Sequence, residues 1–220
     1  MKDSQTGRSM IEMLGVIAII GVLTVGGIAG YTKAMEHFRV NKTANQISYI
    51  LAHLRSLYRG QMDYRGLDSS ASPIVIDKTE AFPSEMGKEG VYRNPFQGMV
   101  TAKASGKDVC ATKNPESGEI EGYNDDRAFI LTYTGIPRSA CIGLATLDWG
   151  SGSNGGLVAL GINIKLDSVT SHSCVKSSNP STSQTLGNMI ICEGDGVMGP
   201  TDASIACSSE GNNTLYFKFY

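Results

Sequence analysis

The sequence predicts an α+β protein, in which one long N-terminal α-helix packs on an antiparallel β-sheet. Two observations lead to this fold class. Residues 10–31 are apolar apart from Glu12, and apolar residues then recur at steps of three and four up to residue 58, which is the period of an amphipathic helix. Beyond residue 94, short β-branched and aromatic runs are separated by Gly and Pro, which indicates strands joined by turns.

The first half of the helix, residues 8–31, has the composition of a membrane segment. Its apolar run is long enough to cross a hydrocarbon layer of about 30 Å. A secretory signal peptide has a shorter apolar region followed by a small-residue cleavage site, so we expect this segment to remain in the mature protein. Glu12 is costly there, by about 2.5–3.5 kcal/mol on insertion scales, so it needs a partner.

The second half of the helix, residues 32–59, changes from apolar to amphipathic. Gly60 is the first residue expected to stop it, and a helix over 10–59 would be about 75 Å long at 1.5 Å per residue. The predicted buried stripe consists of Met35, Phe38, Ile47, Ile50, Leu51, Leu54, Leu57 and Tyr58.

Residues 61–94 are polar and contain several Pro and Gly residues, which predicts a loop with a small helix or hairpin. Asn94-Pro95-Phe96-Gln97-Gly98 then forms a turn that enters a strand. A short helix over 139–145 follows Gly135-Ile136-Pro137, which is expected to end the second strand. The predicted strands are 99–102, 128–134, 157–166, 189–192 and 214–220, the last tucked into the sheet.

Length and charge limit the classes of function. The 220 residues leave about 160, residues 60–220, for one globular domain. With 19 basic and 21 acidic residues the formal net charge is −2, so binding to nucleic acid through phosphate neutralisation is not expected.

No arrangement of residues predicts an enzyme. Of the three histidines, His37 and His53 lie on the long helix, and His172 with Cys174 and Asp167 lacks the spacing of a nucleophile elbow. The acidic segment Glu193-Gly194-Asp195-Gly196, with Asp202, could offer oxygen ligands to calcium but falls short of an EF-hand pattern. We therefore expect a plain turn, no metal and no cofactor.

The five cysteines all lie beyond residue 100, and none forms a C-x-x-C pair. In an oxidising compartment they are expected to form disulfides and to leave one free thiol. The cysteines are Cys110, Cys141, Cys174, Cys192 and Cys207.

The N-terminus resembles the prepilin signature of type IV pilins and type II secretion pseudopilins. The resemblance rests on a short polar leader ending in Gly7, then Ser9, Met10, Ile11 and Glu12 before an apolar helix. It implies that a prepilin peptidase removes residues 1–7 and methylates the new N-terminus at Arg8. It also implies that Glu12 pairs with the N-terminal amine of a neighbouring subunit. Arg8 departs from the Phe, Met or Leu that is usual there.

Two further segments resemble type IVb pilins of the toxin-coregulated and plasmid-transfer kind. One is the Asn94–Gly98 turn, and the other is the strand, Gly-Ile-Pro turn and helix that carries Cys141. The resemblance implies a Cys141–Cys207 disulfide that bounds a variable C-terminal region. Cys174 and Cys192 flank a Ser/Thr/Asn-rich loop and could form a second bond, which would leave Cys110 as the free thiol.

Four glycines, Gly21, Gly26, Gly27 and Gly30, interrupt the apolar half of the helix, and two interpretations remain open. Small residues allow close helix packing in membranes. The family resemblance also implies a segment that loses helicity in the assembled filament.

Together these features predict a non-catalytic structural subunit of a type IVb pilus with surface roles such as adhesion, aggregation or conjugation. It would reside in the bacterial inner membrane, N-terminus inside, and then in the extracellular pilus. Its expected partners are other copies of itself, the prepilin peptidase and the inner-membrane assembly machinery. The alternatives are a type II secretion pseudopilin, favoured by a calcium site, and a membrane-anchored periplasmic binding protein or enzyme, for which Glu12 would be dispensable.

Overall fold

The computed structural model describes residues 10–71, 73–105, 112–113, 120–121, 126–150, 156–163, 189–192 and 198–220. The chain divides into two compact units, Met1–Arg39 and Val40–Tyr220. Helix α1 spans Met10–Leu57, so its first part belongs to the first unit and its remainder to the second.

Helix α1 ends at Leu57, two residues before the predicted end. The amide of Tyr58 still donates to the Leu54 oxygen at 3.0 Å, but the amide of Arg59 turns to the Ser56 oxygen at 3.5 Å. The change from a four-residue to a three-residue step tightens the backbone into a turn before Gly60 is reached.

The buried face of α1 is narrower and more polar than the predicted stripe. Ile47, Ile50 and Leu54 are fully buried, as predicted, whereas Phe38 is 59% and Leu57 38% exposed. The polar residues Thr43 and Gln46 take buried positions on the same face as Ile47 and Ile50. Apolar spacing therefore located the face, but it did not show where along the helix the core begins and ends.

The globular domain contains a seven-stranded antiparallel sheet, and the predicted fold class is confirmed. Its order is β1-β2-β3-β6-β9-β7-β8, and β4 and β5 form a separate pair. The strands are β1 Gly87–Lys88, β2 Val91–Arg93, β3 Met99–Ser105, β4 Thr112–Lys113, β5 Ile120–Glu121, β6 Ala128–Ile136, β7 Leu157–Ile162, β8 Met189–Cys192 and β9 Asn213–Phe219.

Short helices connect the strands. The predicted loop 61–94 contains α2 (Pro73–Lys78), a 3₁₀-helix (Ser84–Met86) and the β1–β2 hairpin, as expected. Helix α3 (Arg138–Ala145) covers the predicted 139–145 segment, and α4 (Pro200–Ala206) was not predicted. Strand β7 ends at Ile162, and residues 164–166 of its predicted extent lie outside the described part of the chain.

Strand β6 runs two residues beyond its predicted end at Thr134, although it does end within the predicted Gly135-Ile136-Pro137 segment. Strand β6 continues to Ile136, with a register shift against β9 between Tyr133 and Ile136. Gly135 accommodates this irregularity with a φ of +69°, a region that glycine enters without steric cost. Pro137 then ends the strand and begins α3.

The core lies between α1 and one face of the sheet. Alternate residues of β6 and β9 face it, in particular Phe129, Tyr133, Phe217 and Phe219, which are all fully buried. Strand β9 pairs with both β6 and β7, so the last strand in the chain sits near the middle of the sheet. The expectation that the terminal strand is tucked into the sheet is confirmed.

Candidate assembly and disulfide sites

The first unit contains the apolar segment of α1. Among the described residues, α1 is the one helix that is long and apolar enough to cross a membrane, judged by length and composition. Its large apolar side chains between Met10 and Tyr31 are 48% to 86% exposed. A helix that is apolar on every side is stable when lipid or other helices surround it.

Glu12 lies in the first turn of this segment. A carboxylate is favoured there by the partial positive charge of the helix N-terminus. Thr24 and Thr32 satisfy their hydroxyls within the helix, on the main-chain oxygens of Ile20 (2.7 Å) and Ala29 (3.0 Å). Among the residues that the structure describes, none forms a hydrogen bond or ion pair with Glu12. Gly7 and Arg8 lie outside the described residues.

Cys141 and Cys207 form a disulfide, which is the pair that the resemblance implied. Their Cα atoms are 6.0 Å apart, and they are separated by 66 residues. Cys141 lies in the first turn of α3 and Cys207 directly after α4, and both are buried. The bond therefore joins the two helices and encloses β7 and β8 between its ends.

The proposed second bond lies outside the described residues, as does Cys110. Cys174 is not described, and Cys192 is described only as the last residue of β8, where it pairs with Ala159. The Cys174–Cys192 pairing and the free thiol at Cys110 remain predictions.

Two asparagines beside the disulfide were missed by the sequence interpretation. Asn213 is fully buried and Asn163 is half-buried, and the Nδ2 of Asn163 donates to the Oδ1 of Asn213 at 2.9 Å. Asn163 has a left-handed φ of +57°, a conformation that asparagine tolerates better than most residues. A sequence shows an Asn at the end of a strand but not the distant groups it will bind.

The Asn94–Gly98 turn enters β3, as predicted. The Oδ1 of Asn94 accepts hydrogen bonds from the amides of Phe96 (2.8 Å) and Gly98 (3.1 Å). Its Nδ2 donates to the main-chain oxygen of Thr134 on β6 at 2.8 Å. One buried side chain thus closes the turn and fixes it to the neighbouring strand.

Arg55 joins α1 to the end of β9. Its Nε donates to the main-chain oxygen of Tyr220 at 2.9 Å, and its guanidinium lies 5.9 Å from the ring centre of Phe219. Burial lowers the pKa of Arg55, although the interaction with Tyr64 opposes this shift. Tyr220 and Phe219 therefore hold the charged guanidinium of Arg55 at the edge of the core.

Of the candidate calcium ligands, only Asp202 lies among the described residues. Asp202 lies in the first turn of α4, and residues 193–196 lie outside the described residues. In the described ranges, no group of three or more His, Cys, Asp or Glu side chains could hold a metal ion. Of the histidines, His53 stacks on Tyr49 at 4.0 Å, His37 is exposed, and His172 is not described.

Comparison with known proteins identifies relatives of this chain. Two curated relatives, from Escherichia coli O111:H- and Escherichia coli O127:H6 (strain E2348/69 / EPEC), are each described as the major structural subunit of bundle-forming pilus. Each is 28% identical over 225 residues, which cover 98% of this chain and 95% of the relative.

One solved structure supports the fold. The crystal structure of TcpA, a type IV pilin from Vibrio cholerae El Tor biotype, aligns with a TM-score of 0.50 at 13% identity, over 82% of this chain and 98% of that chain. A type IV b pilin from Salmonella typhi aligns with a TM-score of 0.43 at 17% identity, over 80% and 96%.

A family model described as PilS N terminal matches residues 37–219, which is most of the chain and nearly all of the globular domain. The matched residues include the second part of α1, the sheet and both bonded cysteines. The chain therefore belongs to the PilS family and is a type IVb pilin.

Proposed function

We propose that this pilin joins a type IVb pilus through the apolar segment of α1 and that Glu12 guides each incoming subunit into place. The chain is a structural subunit of a pilus, located in the bacterial inner membrane before assembly and in the extracellular filament afterwards. The observation that supports the mechanism best is the exposure of an apolar helix segment that carries one acid in its first turn.

Removal of the leader peptide would create the partner of Glu12, which is a new N-terminal amine. We expect a prepilin peptidase to cut after Gly7, so that Arg8 becomes the methylated N-terminus and Glu12 the fifth residue of the mature chain. The positive amine of one subunit and the carboxylate of its neighbour would then meet in the apolar filament interior. Two opposite charges that pair there offset a desolvation cost that neither could bear alone.

The role of the globular domain would be structural and would involve no catalysis. The Cys141–Cys207 bond ties α3 to α4 and so stabilises the region that would face the surroundings. We expect the surface roles to be adhesion, aggregation or conjugation. A pseudopilin of a type II secretion system remains the second candidate, although the disulfide-bounded region favours the pilus.

The substitution Glu12→Ala tests the assembly mechanism. Removal of the carboxylate makes insertion into lipid easier but leaves the incoming amine unpaired. We expect immunoblots to find normal amounts of the variant in the inner membrane and electron microscopy to find almost no surface filaments. Met10→Ala removes an apolar side chain from the same turn and serves as the control.

Normal filaments from Glu12→Ala would reject the pairing mechanism. If the purified variant also carried out a separate binding or catalytic activity of the chain, the membrane-anchored binding protein or enzyme would be favoured. Filaments that are absent from Met10→Ala as well would show that assembly depends on helix packing in general.

A further inference from the structure

Asn213 contacts both of the segments that carry the bonded cysteines. Its Nδ2 donates to the main-chain oxygen of Ile136 at 3.1 Å, one residue before Pro137 and α3. The same nitrogen lies 3.3 Å from the oxygen of Ser208, and the Oδ1 accepts from the Ser208 amide at 2.7 Å. Ser208 follows Cys207 directly, so one side chain bridges the entry to α3 and the exit from α4.

Asn163 holds the other side of Cys207. Its Nδ2 donates to Asn213 at 2.9 Å and lies 3.4 Å from the oxygen of Ala206, the residue before Cys207. Its Oδ1 accepts from the amide of Thr214 at 2.8 Å, and its own amide donates to the Thr214 oxygen at 2.8 Å. The main chain on both sides of Cys207 is therefore hydrogen-bonded to Asn163, which directly follows β7, and to Asn213 in β9.

We call this set of hydrogen bonds around Asn213 and Asn163 the junction. Cys141 is also held close to it. Its amide donates to the main-chain oxygen of Pro137 at 2.8 Å, which forms the first helical turn of α3. Pro137 restricts the backbone between Ile136 and this turn because its ring fixes φ. The contact of Asn213 with Ile136 therefore sets the position of Cys141 through one proline and one turn.

We propose that Asn213, assisted by Asn163, is the positioning residue for disulfide formation and selects Cys141–Cys207 from the five cysteines of the chain. None of these hydrogen bonds involves sulfur, so the junction can form while both thiols are reduced. Once it forms, the two thiols lie next to each other, because the Cα atoms of Cys141 and Cys207 are 6.0 Å apart in the folded domain. The specificity of pairing then comes from the fold rather than from the order in which the cysteines leave the membrane.

The oxidant in this step is a protein or small-molecule disulfide. The first cysteine, as a thiolate, attacks this disulfide, forms a mixed disulfide and releases one thiol of the oxidant. The second cysteine, also as a thiolate, attacks the mixed disulfide at the sulfur of the first cysteine and releases the second thiol. Two cysteine thiols lose two protons and two electrons, and one disulfide of the oxidant gains them.

Pairing is measured on the full-length chain, exported in an oxidising periplasm, alkylated at set times and mapped without reduction. We compare Asn213→Ala, Asn213→Asp and Asn163→Ala with the native chain. Asn213→Asp keeps the acceptor for Ser208 but loses the donor to Ile136. Tyr92→Phe is the matched control, because it removes a 2.8 Å hydrogen bond to Asp77 from a buried side chain far along the sheet.

We expect Asn213→Ala to give a several-fold rise in peptides that link Cys141 or Cys207 to another cysteine. Asn213→Asp and Asn163→Ala should give smaller rises, and Tyr92→Phe should give none. Native pairing at the native rate in Asn213→Ala overturns the proposal. The same mispairing in Tyr92→Phe also overturns it, because lost stability alone would then explain the result.

A second measurement applies even where Asn213→Ala does not fold. In the double variant Cys141→Ser with Cys207→Ser, the Ser208 and Thr214 amides should remain protected from hydrogen exchange, because the junction precedes the bond. Rapid exchange of both amides in an otherwise folded domain would show that the bond makes the junction, which is the reverse of the proposal.

Discussion

Gly98 lies directly against the main-chain oxygen of Thr134, so that a Cβ added to Gly98 would overlap that oxygen. The Nδ2 of Asn94 donates to the same oxygen at 2.8 Å. The hydroxyl of Thr134 also accepts from the amide of Met99 at 2.8 Å. The turn and β6 are therefore in backbone contact, which no side chain at position 98 would allow.

We predict that Gly98→Ala destabilises the globular domain by about 2–4 kcal/mol, because the turn before β3 and the backbone of β6 must move apart. The free energy of unfolding, measured with urea on the purified chain in detergent, tests this value. Gly60→Ala is the control, since a Cβ at Gly60 meets nothing within 4 Å. Equal stabilities of the two variants would contradict the contact.

Loss of the Cys141–Cys207 bond should destabilise the domain by about 4 kcal/mol, the chain entropy that a loop of this size regains in the loop model. The bond closes a separation of 66 residues. The test compares Cys141→Ser with Cys207→Ser in one chain against the native chain in urea. Cys110→Ser, the predicted free thiol, should unfold like the native chain. A loss below about 1 kcal/mol would show that the unfolded chain is already constrained without the bond.

Tyr133→Phe should leave the stability at pH 7 unchanged or slightly higher. The Tyr133 hydroxyl is fully buried, and no described residue forms a hydrogen bond with it. Its removal therefore takes away a buried polar atom without breaking a bond. Tyr92→Phe is the contrast, because its hydroxyl donates to Asp77 at 2.8 Å, and its loss should cost about 1 kcal/mol. A large loss in Tyr133→Phe would show that the hydroxyl has a partner.

Because of the same tyrosine, Tyr133, we expect the free energy of unfolding to depend on pH in the alkaline range. Burial raises the pKa of Tyr133, because the charged phenolate would be desolvated. Below pH of about 10 both the folded and the unfolded state keep the proton, so the shift has no effect. Above it the unfolded state releases the proton and the folded state does not, so the free energy of unfolding falls. Urea unfolding at pH 8 and 11 should show a smaller fall for Tyr133→Phe than for the native chain.

The mature chain should begin at Arg8, with a methylated amine, because Gly7 and Glu12 keep the family spacing. Mass spectrometry of N-terminal peptides from isolated filaments measures this directly. Gly7→Ala, which keeps a small residue before the cut, should reduce processing less than a bulky residue there. A retained Met1, or a start near Tyr31, would contradict the proposed leader.

The sequence by itself determined the features that depend on neighbouring residues. The spacing of apolar residues located α1 and its face with Ile47, Ile50 and Leu54, and the turn residues located β3 and the loop 61–94, which was expected to hold a small helix or a hairpin. The resemblance to pilins, carried by a few local segments, also indicated the family and the Cys141–Cys207 pair. The roles of Gly7, Arg8 and Glu12 remain predictions.

Only the tertiary structure decided which distant segments meet. It placed β9 between β6 and β7, buried Thr43 and Gln46 while Phe38 stayed exposed, and aimed Asn213 at Ile136 and Ser208. Local periodicity cannot contain this information, because a hydrogen-bond partner 77 residues away is set by how the sheet closes. The same reason explains why β6 runs past its expected end, since its pairing with β9 continues through Ile136 where a turn signal alone would stop it.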